Sequence, residues 1–179
     1  MLEEELKWEI FLPESSSEYK VGKLIGSGQY GKVYEGFNNH SGQMMAIKRV
    51  PIFNFIKDGK ENIRLESLMS EIRILSVLSH QNIVKYLGHH NDAPNKMFNI
   101  FLEYIPGGSI YVLLWKYQKF NETLTSIYTR HILEGLSYLH SKGIVHWDIK
   151  GANILVGNDG VCKLADFGGA KFLLANNDD

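Results

Sequence analysis

The sequence predicts an α+β fold in which a β-rich first part is followed by a mainly helical second part. Three observations carry this. Short runs rich in β-branched and aromatic residues, separated by Gly, Asn, Asp and Pro, occupy most of the span from Tyr19 to Ile105. Apolar residues recur at three- and four-residue separations in helical stretches, and these dominate beyond Pro106. Between the two parts the linker PGGS, Pro106 to Ser109, interrupts both patterns.

Taken in order, residues 1–18 are acidic and polar, end in Pro13 and a serine cluster, and read as a short leader. YKVGKLIG (19–26) and KVYEGFN (32–38) flank a glycine-containing bend, and HSG followed by QMMAIKRV gives another turn and strand. That is a hairpin feeding a third strand. KENIRLESLMSEIRILSVLSH predicts a helix that aligns Leu68, Glu71, Leu75 and Leu78 on one face. A lone carboxylate on an apolar face requires a cationic partner.

NIVKYLGHH and MFNIFLEYI predict two more strands around a polar turn of Asn91, Asp92, Pro94 and Asn95. Beyond the linker, SIYVLLWKYQKF predicts one helix and LTSIYTRHILEGLSYLH a longer one, with Tyr128, Ile132, Leu136 and Leu139 as its apolar stripe. NILVGNDGVCKLADFGG then predicts two short strands joined by the turn Asn158-Asp159-Gly160. The expected division is a leader over 1–18, a β-rich lobe over 19–105 and a helical lobe over 106–179.

Composition narrows the function classes. With 44% hydrophobic and 22% charged residues and a net charge of -1, the 179-residue chain belongs among globular proteins, and nothing in it implies nucleic acid. The single Cys162 excludes an internal disulfide and reads as a buried, inert thiol in a reducing compartment. The amino end, MLEEELKWEIFLPESSSEYK, lacks a basic region and a long apolar run, so neither export nor a membrane span is expected, and a cytoplasmic location is.

Four polar groupings carry chemistry. GSGQYG supplies Gly26, Gly28 and Gly31, whose backbone N–H groups could approach phosphate oxygens unobstructed, or which could be ordinary hairpin glycines. MAIK places Lys48 on a strand among small and apolar residues, where it could pair with phosphate and with Glu71, or stand on the surface. The loop IVHWDIKGAN carries Asp148, Lys150 and Asn153, and ADFGG carries Asp166. Phosphoryl transfer needs a group to orient the acceptor hydroxyl, a cation for the spreading charge, and oxygen ligands for magnesium. Each demand has a candidate here.

In this order and at these separations, the glycine-rich turn, AIK, helical Glu, HxDIKxxN and DFG resemble the first part of a eukaryotic-type protein kinase domain. The resemblance implies a protein-kinase-like fold with ATP and Mg2+ as ligands. It implies that Gly26, Gly28 and Gly31 cover the phosphates, that Lys48 holds the α and β phosphates, and that Glu71 orients Lys48. Asp148 would be the catalytic base, Lys150 would approach the γ-phosphate, and Asn153 and Asp166 would ligate magnesium. Val33, Ala46 and Leu155 would sandwich adenine, with Leu102 behind it and Glu103 and Ile105 as backbone hinge contacts. Leu75, Tyr86, Phe167 and His146 resemble the spine of an assembled kinase.

The DIKGANIL run with Lys150 resembles serine/threonine rather than tyrosine kinases. YLGHH, EYIPGGSI, YTRHILEGLSYLHSKGIVH, DIKGANILV and KLADFGGAK together resemble the mitogen-activated kinase kinase kinases, especially their MEKK-like branch, which implies a MAP kinase kinase as protein substrate.

Two departures bear on function. Trp147 stands where the family has Arg, and an indole cannot make the planar contacts of a guanidinium to a phosphorylated activation segment. It is expected either as an apolar plug or as a regulatory change. The resemblance runs from Tyr19 to about Lys171 and stops after DFGGAK, which implies a complete small lobe, an incomplete large lobe, and apolar area there facing water or a covering partner. The sequence thus carries two functional readings: an active kinase, and a truncated, catalytically inactive ATP-binding or interaction module.

Overall fold

The computed structural model describes residues 12–28, 31–51, 56–57, 60–61 and 63–173. Most of the expected leader, and Gln29 and Tyr30 of the glycine-rich turn, lie outside these residues. Packing divides the chain into two compact units, Met1–Asn54 with Tyr86–Tyr104, and Phe55–Lys85 with Ile105–Asp179.

The first unit is a five-stranded antiparallel sheet. Its strands are β1 (Tyr19–Gly28), β2 (Gly31–Asn38), β3 (Met44–Pro51), β6 (Tyr86–Asp92) and β7 (Met97–Glu103), in the order β1-β2-β3-β7-β6. A 3-10 turn at Ser16–Glu18 leads in, held by a capping box between Ser15 and Glu18. Strand alternation divides the residues of β3 between two faces. Met45 and Ile47 join Tyr19 and Phe101 in a buried cluster, with the Tyr19 and Phe101 rings edge to face at 4.9 Å.

On the same face, Asn99 is fully buried and fully engaged. Its Nδ2 donates to the Tyr19 hydroxyl (2.9 Å) and its Oδ1 accepts from Arg49 Nε (3.0 Å). The Tyr19 hydroxyl also forms a hydrogen bond with His90 Nδ1 at 2.9 Å. A buried polar network with every member satisfied specifies one register.

The opposite face carries Val33, Ala46, Lys48 and Leu102. Val33 pairs with Lys48, Lys48 with Ile100, and Ala46 with Leu102. The expected hairpin feeding a third strand is therefore present, with two irregularities in β1, between Val21 and Leu24 and between Leu24 and Gly26.

The second unit contains α1 (Ile63–Ser76), α2 (Ile110–Tyr117) and α3 (Glu122–Ser141). It also holds three short strand pairs, β4 (Ile56–Lys57) with β5 (Lys60–Glu61), β8 (Ile144–Val145) with β11 (Lys171–Phe172), and β9 (Ile154–Val156) with β10 (Cys162–Leu164), and the isolated bridges Ile83–Leu164 and Ser109–Leu155. Helix α2 starts at Ser109, whose hydroxyl accepts from Val112 N–H, and α3 at Asn121, whose Oδ1 accepts from Leu124 N–H. Gly143, at φ +67, closes the turn after α3.

The four α1 positions aligned by the sequence, Leu68, Glu71, Leu75 and Leu78, are all buried, although the helix itself ends at Ser76. Of the α3 stripe, Tyr128 and Leu139 are buried, while Ile132 and Leu136 are half-buried. Elsewhere on these helices large apolar side chains face solvent, with Trp115 81% and Leu133 59% exposed. Helix α1 packs against the 167–169 turn and β11, so residues 55–85 group with the second unit, whereas chain order alone places them before the linker. No helix among the described residues is long and apolar enough to cross a membrane.

Cys162 is 1% exposed and burial pushes its thiol up to about 11, as expected of an unreactive cysteine. The buried Asn82 holds β10 from the other side. Its Nδ2 donates to the Cys162 carbonyl (3.0 Å) and its own carbonyl accepts from Leu164 N–H (2.8 Å).

That carbonyl explains a glycine inside a helix. A Cβ at Gly135 would lie 3.0 Å from Asn82 O and 3.1 Å from Leu164 Cδ1. The oxygen is fixed by its hydrogen bond, so the strain cannot relax cheaply. Gly135→Val is expected to lower stability by about 2 kcal/mol, measured by urea unfolding. An unchanged midpoint would show that α3 can move away from β10.

Candidate active site

The loop after β8 is organised by His146, which is 1% exposed. Its Nδ1 accepts from Asp148 N–H at 3.3 Å, so the proton sits on Nε2, which donates to the Ala165 carbonyl at 3.0 Å. Burial holds its pKa below the usual histidine value, against the opposing pull of the Ala165 carbonyl and the nearby Asp166 and Asp148. Its ring also meets Phe167 at 4.8 Å between centroids.

This imidazole therefore fixes the loop carrying Asp148 against the segment carrying Asp166. Lys150 Nζ donates to Asp148 Oδ2 at 2.7 Å, and Asn153 Nδ2 donates to the same oxygen at 2.9 Å and to the Asp148 carbonyl at 3.0 Å. The Lys150 hydrogen bond, opposed by partial desolvation and reinforced by Asn153, holds the Asp148 carboxyl below its ordinary value. The same bond raises Lys150. At neutral pH the pair is charged, and Asp148 can orient a hydroxyl by accepting its proton.

Asn153 is 7% exposed and its amide nitrogen is committed to Asp148, so its oxygen is the end available to a ligand. Its backbone carbonyl accepts from Ala165 N–H at 2.9 Å, immediately before Asp166, which sits at φ +60. The structure thus brings together Asp148, Lys150, Asn153 and the Asp166 segment. One amide oxygen and one carboxylate are donors of the kind a small hard cation takes beside phosphate oxygens. No cluster of three or more His, Cys, Asp or Glu of metal-binding type occurs among the described residues.

The other predicted positions divide between the two units. In the second, Glu71 is 4% exposed, Leu75 and Phe167 are buried, and Leu155, on β9, bridges to Ser109. Ile105 belongs to this unit and is half-buried. In the first, Val33, Ala46, Lys48 and Leu102 share one sheet face, while Glu103 pairs with Met45 and so points to the other. Tyr86 is buried on β6. The reading of Lys48 as a surface lysine is excluded by its 5% exposure.

Gly26 lies opposite Val33, and Gly28 opposite Gly31. A Cβ at Gly31 would come within 2.6 Å of the Arg49 carbonyl, so the sheet itself demands glycine there whatever it binds.

Trp147 corrects an expectation. It is no apolar plug, being 69% exposed at φ +64. The left-handed backbone turns its side chain outward between His146, which takes the inward position, and Asp148. Sequence reasoning also missed Asn82, Glu35 and Tyr104. The Tyr104 hydroxyl donates to Glu35 Oε1 at 2.8 Å across 69 positions, a separation that no local pattern encodes.

Two outcomes follow. Trp147→Arg is expected to change unfolding free energy by less than about 0.5 kcal/mol, where loss of a buried plug would cost about 3. Stability should also fall as pH drops from 7 to 5.5. His146 and His89 have folded pKa values held below 6.5 by burial, so the unfolded chain takes up protons first. This stabilisation is complete above that value and lost below it, well separated from the loss at Asp148 below pH 3.8. His146→Asn should show a smaller difference between urea midpoints at the two pH values than the wild type, and an equal difference would assign the slope elsewhere.

Comparison with known proteins agrees with this geometry. Residues 19–178 match the protein kinase domain family. A mitogen-activated protein kinase kinase kinase 3 of Arabidopsis thaliana is 47% identical over 163 residues, which is 91% of this chain and 26% of that protein. Mitogen-activated protein kinase kinase kinase A of Dictyostelium discoideum is 42% identical over 154 residues, 86% of this chain and 16% of its own length. A serine/threonine-protein kinase of Saccharomyces cerevisiae is 41% identical over 173 residues, 92% of this chain and 12% of that protein. The chain thus spans about a quarter or less of the length of these relatives. With its catalytic-type loop and DFG segment joined through one histidine, the chain belongs to the eukaryotic protein kinase domain family and is related to the mitogen-activated protein kinase kinase kinases.

Proposed function

We propose that the chain acts as an ATP-dependent serine/threonine protein kinase of the kinase kinase kinase type, MEKK-like, that transfers the γ-phosphoryl group to a protein hydroxyl. The observation that carries this is the hydrogen-bonded set Asp148, Lys150 and Asn153, tied through backbone bonds to the Asp166 segment. In this reading residues 19–105 and 106–179 are the two lobes of the domain, after a leader over 1–18.

Asp148 orients the acceptor hydroxyl and takes its proton as the hydroxyl oxygen bonds to the γ-phosphorus. The bond from that phosphorus to the β,γ-bridging oxygen breaks and ADP leaves. Lys150, already at Asp148, is placed to meet the γ-phosphate charge, and Lys48 holds the α and β phosphates with Glu71 as its orienting carboxylate. Gly26, Gly28 and Gly31 cover the phosphates. Val33, Ala46, Leu102 and Leu155 enclose adenine, and the Glu103 and Ile105 backbones bind its edge. Asn153 and Asp166 would hold Mg2+, whose charge offsets that of the phosphates. The relatives' names point to a MAP kinase kinase as acceptor, and the location proposed for this reading is the cytoplasm.

Trp147 supports a second reading, a catalytically inactive ATP-binding or interaction module. An exposed indole offers no guanidinium to a phosphorylated segment.

The test is magnesium-dependent transfer from labelled ATP to a MAP kinase kinase by wild type, Asp148→Asn and Lys48→Ala. Asp148→Asn is expected to lose about a hundredfold or more in rate with ATP binding kept. Binding without transfer by the wild type selects the inactive module, and absence of binding overturns the nucleotide reading.

A further inference from the structure

Glu35, on β2, sits in the first unit on the same sheet face as Val33, Ala46 and Lys48 and pairs in register with Ala46. Its Oε1 accepts from the Tyr104 hydroxyl at 2.8 Å and lies 3.2 Å from Lys23 Nζ. These partners come from different places in the sheet. Lys23 falls in the irregular stretch of β1 between Val21 and Leu24, where a bulge re-aims a side chain. Tyr104 follows β7 directly, beyond β3 in the sheet order.

Reaching Glu35 from the end of β7 means crossing β3. The β3 residue between Glu35 and Leu102 in register is Ala46, whose short side chain leaves that path open. Gly22 lies over Glu35 on the β1 side, where a Cβ would touch Glu35 Cβ at 3.4 Å. The Glu35 side chain is 20% exposed and Lys23 72%, so the Tyr104 bond is the shielded part of the group and the lysine a solvent-facing addition.

We propose that Glu35 and Tyr104 form a latch that positions the first unit's nucleotide-binding face: the phenol–carboxylate bond ties β1 and β2, which carry Gly26, Gly28 and Gly31, to the segment Glu103-Tyr104. Both are positioning residues. The latch rests on the nucleotide reading for its purpose, but its mechanical part does not. With the bond made, Gly26, Gly28 and Gly31 and the Glu103 backbone are held in one arrangement before ligand arrives, and binding need not spend free energy on ordering them.

The experiment uses the whole chain, as wild type, Tyr104→Phe, Glu35→Ala, Glu35→Gln and the double variant Tyr104→Phe with Glu35→Ala, and measures amide exchange without ligand and affinity for Mg·ATP. Tyr104→Phe and Glu35→Ala are expected to speed exchange in residues 19–38 and to weaken Mg·ATP binding about fivefold, as loss of one hydrogen bond would. Glu35→Gln keeps an acceptor for Tyr104 and should stay within about twofold of wild type, and the double variant should be no weaker than Glu35→Ala alone. Tyr104→Phe, which removes one oxygen, serves if Glu35→Ala folds poorly. Unchanged exchange in both variants overturns the latch. Faster exchange with unchanged affinity overturns its role in nucleotide binding. A wild type that binds no Mg·ATP overturns the nucleotide reading and, with it, that role, while the exchange result still decides the latch itself.

Discussion

One buried imidazole holds the catalytic-type loop in register with the segment that follows β10. His146 commits both nitrogens, one to Asp148 N–H and one to the Ala165 carbonyl. Each bond is worth about 1 kcal/mol net, but leaving either buried group unpaired would cost more than the bond returns. The geometry of Asp148, Lys150, Asn153 and Asp166 therefore follows from a neutral histidine that cannot turn. The hydrogen bonds among Asp148, Lys150 and Asn153 are set on top of this frame, with Asn153 holding Asp148 through both carbonyl and carboxylate.

Two left-handed residues show where the frame is under tension. Trp147 and Asp166 both have positive φ, and each directly follows one end of the bridge from His146 to Ala165. Such conformations cost about 1 kcal/mol or more for residues with a Cβ and persist only where surrounding bonds over-determine them. Here those bonds are the His146 pair, the Asn153 carbonyl to Ala165, and the buried Phe167 against α1. The exposed indole of Trp147 is a consequence of that same chain path.

The sheet meets a different constraint. Alternation gives one face to Met45, Ile47 and Phe101 and the other to Val33, Ala46 and Lys48, so a lysine is buried on a strand whose other buried residues are apolar. A charge in that position is tolerated only with compensating interactions, which is why Lys48 and the equally buried Glu71 are more informative than any exposed charge in the chain. Both the Asn99 network behind the sheet and the Glu35 bonds in front of it make a one-residue slip expensive.

Periodicity in the sequence determined the five sheet strands, the three helices and the β9–β10 hairpin, because each rests on local alternation or a 3.6-residue stripe. Motif order likewise picked out Asp148, Lys150 and Asn153, which the structure joins by hydrogen bonds, since they lie within one short stretch of chain. Tertiary structure alone decided the rest. The β8–β11 pairing is too short to leave a pattern, and Gly31 and Gly135 are glycines because a backbone carbonyl or a neighbouring segment approaches them. Trp147 faces water because of its backbone angle, which its identity does not predict. Glu35 meets Tyr104 across 69 positions and two strand neighbours, and such a contact is fixed by sheet order, a property of the folded chain and not of any window of its sequence.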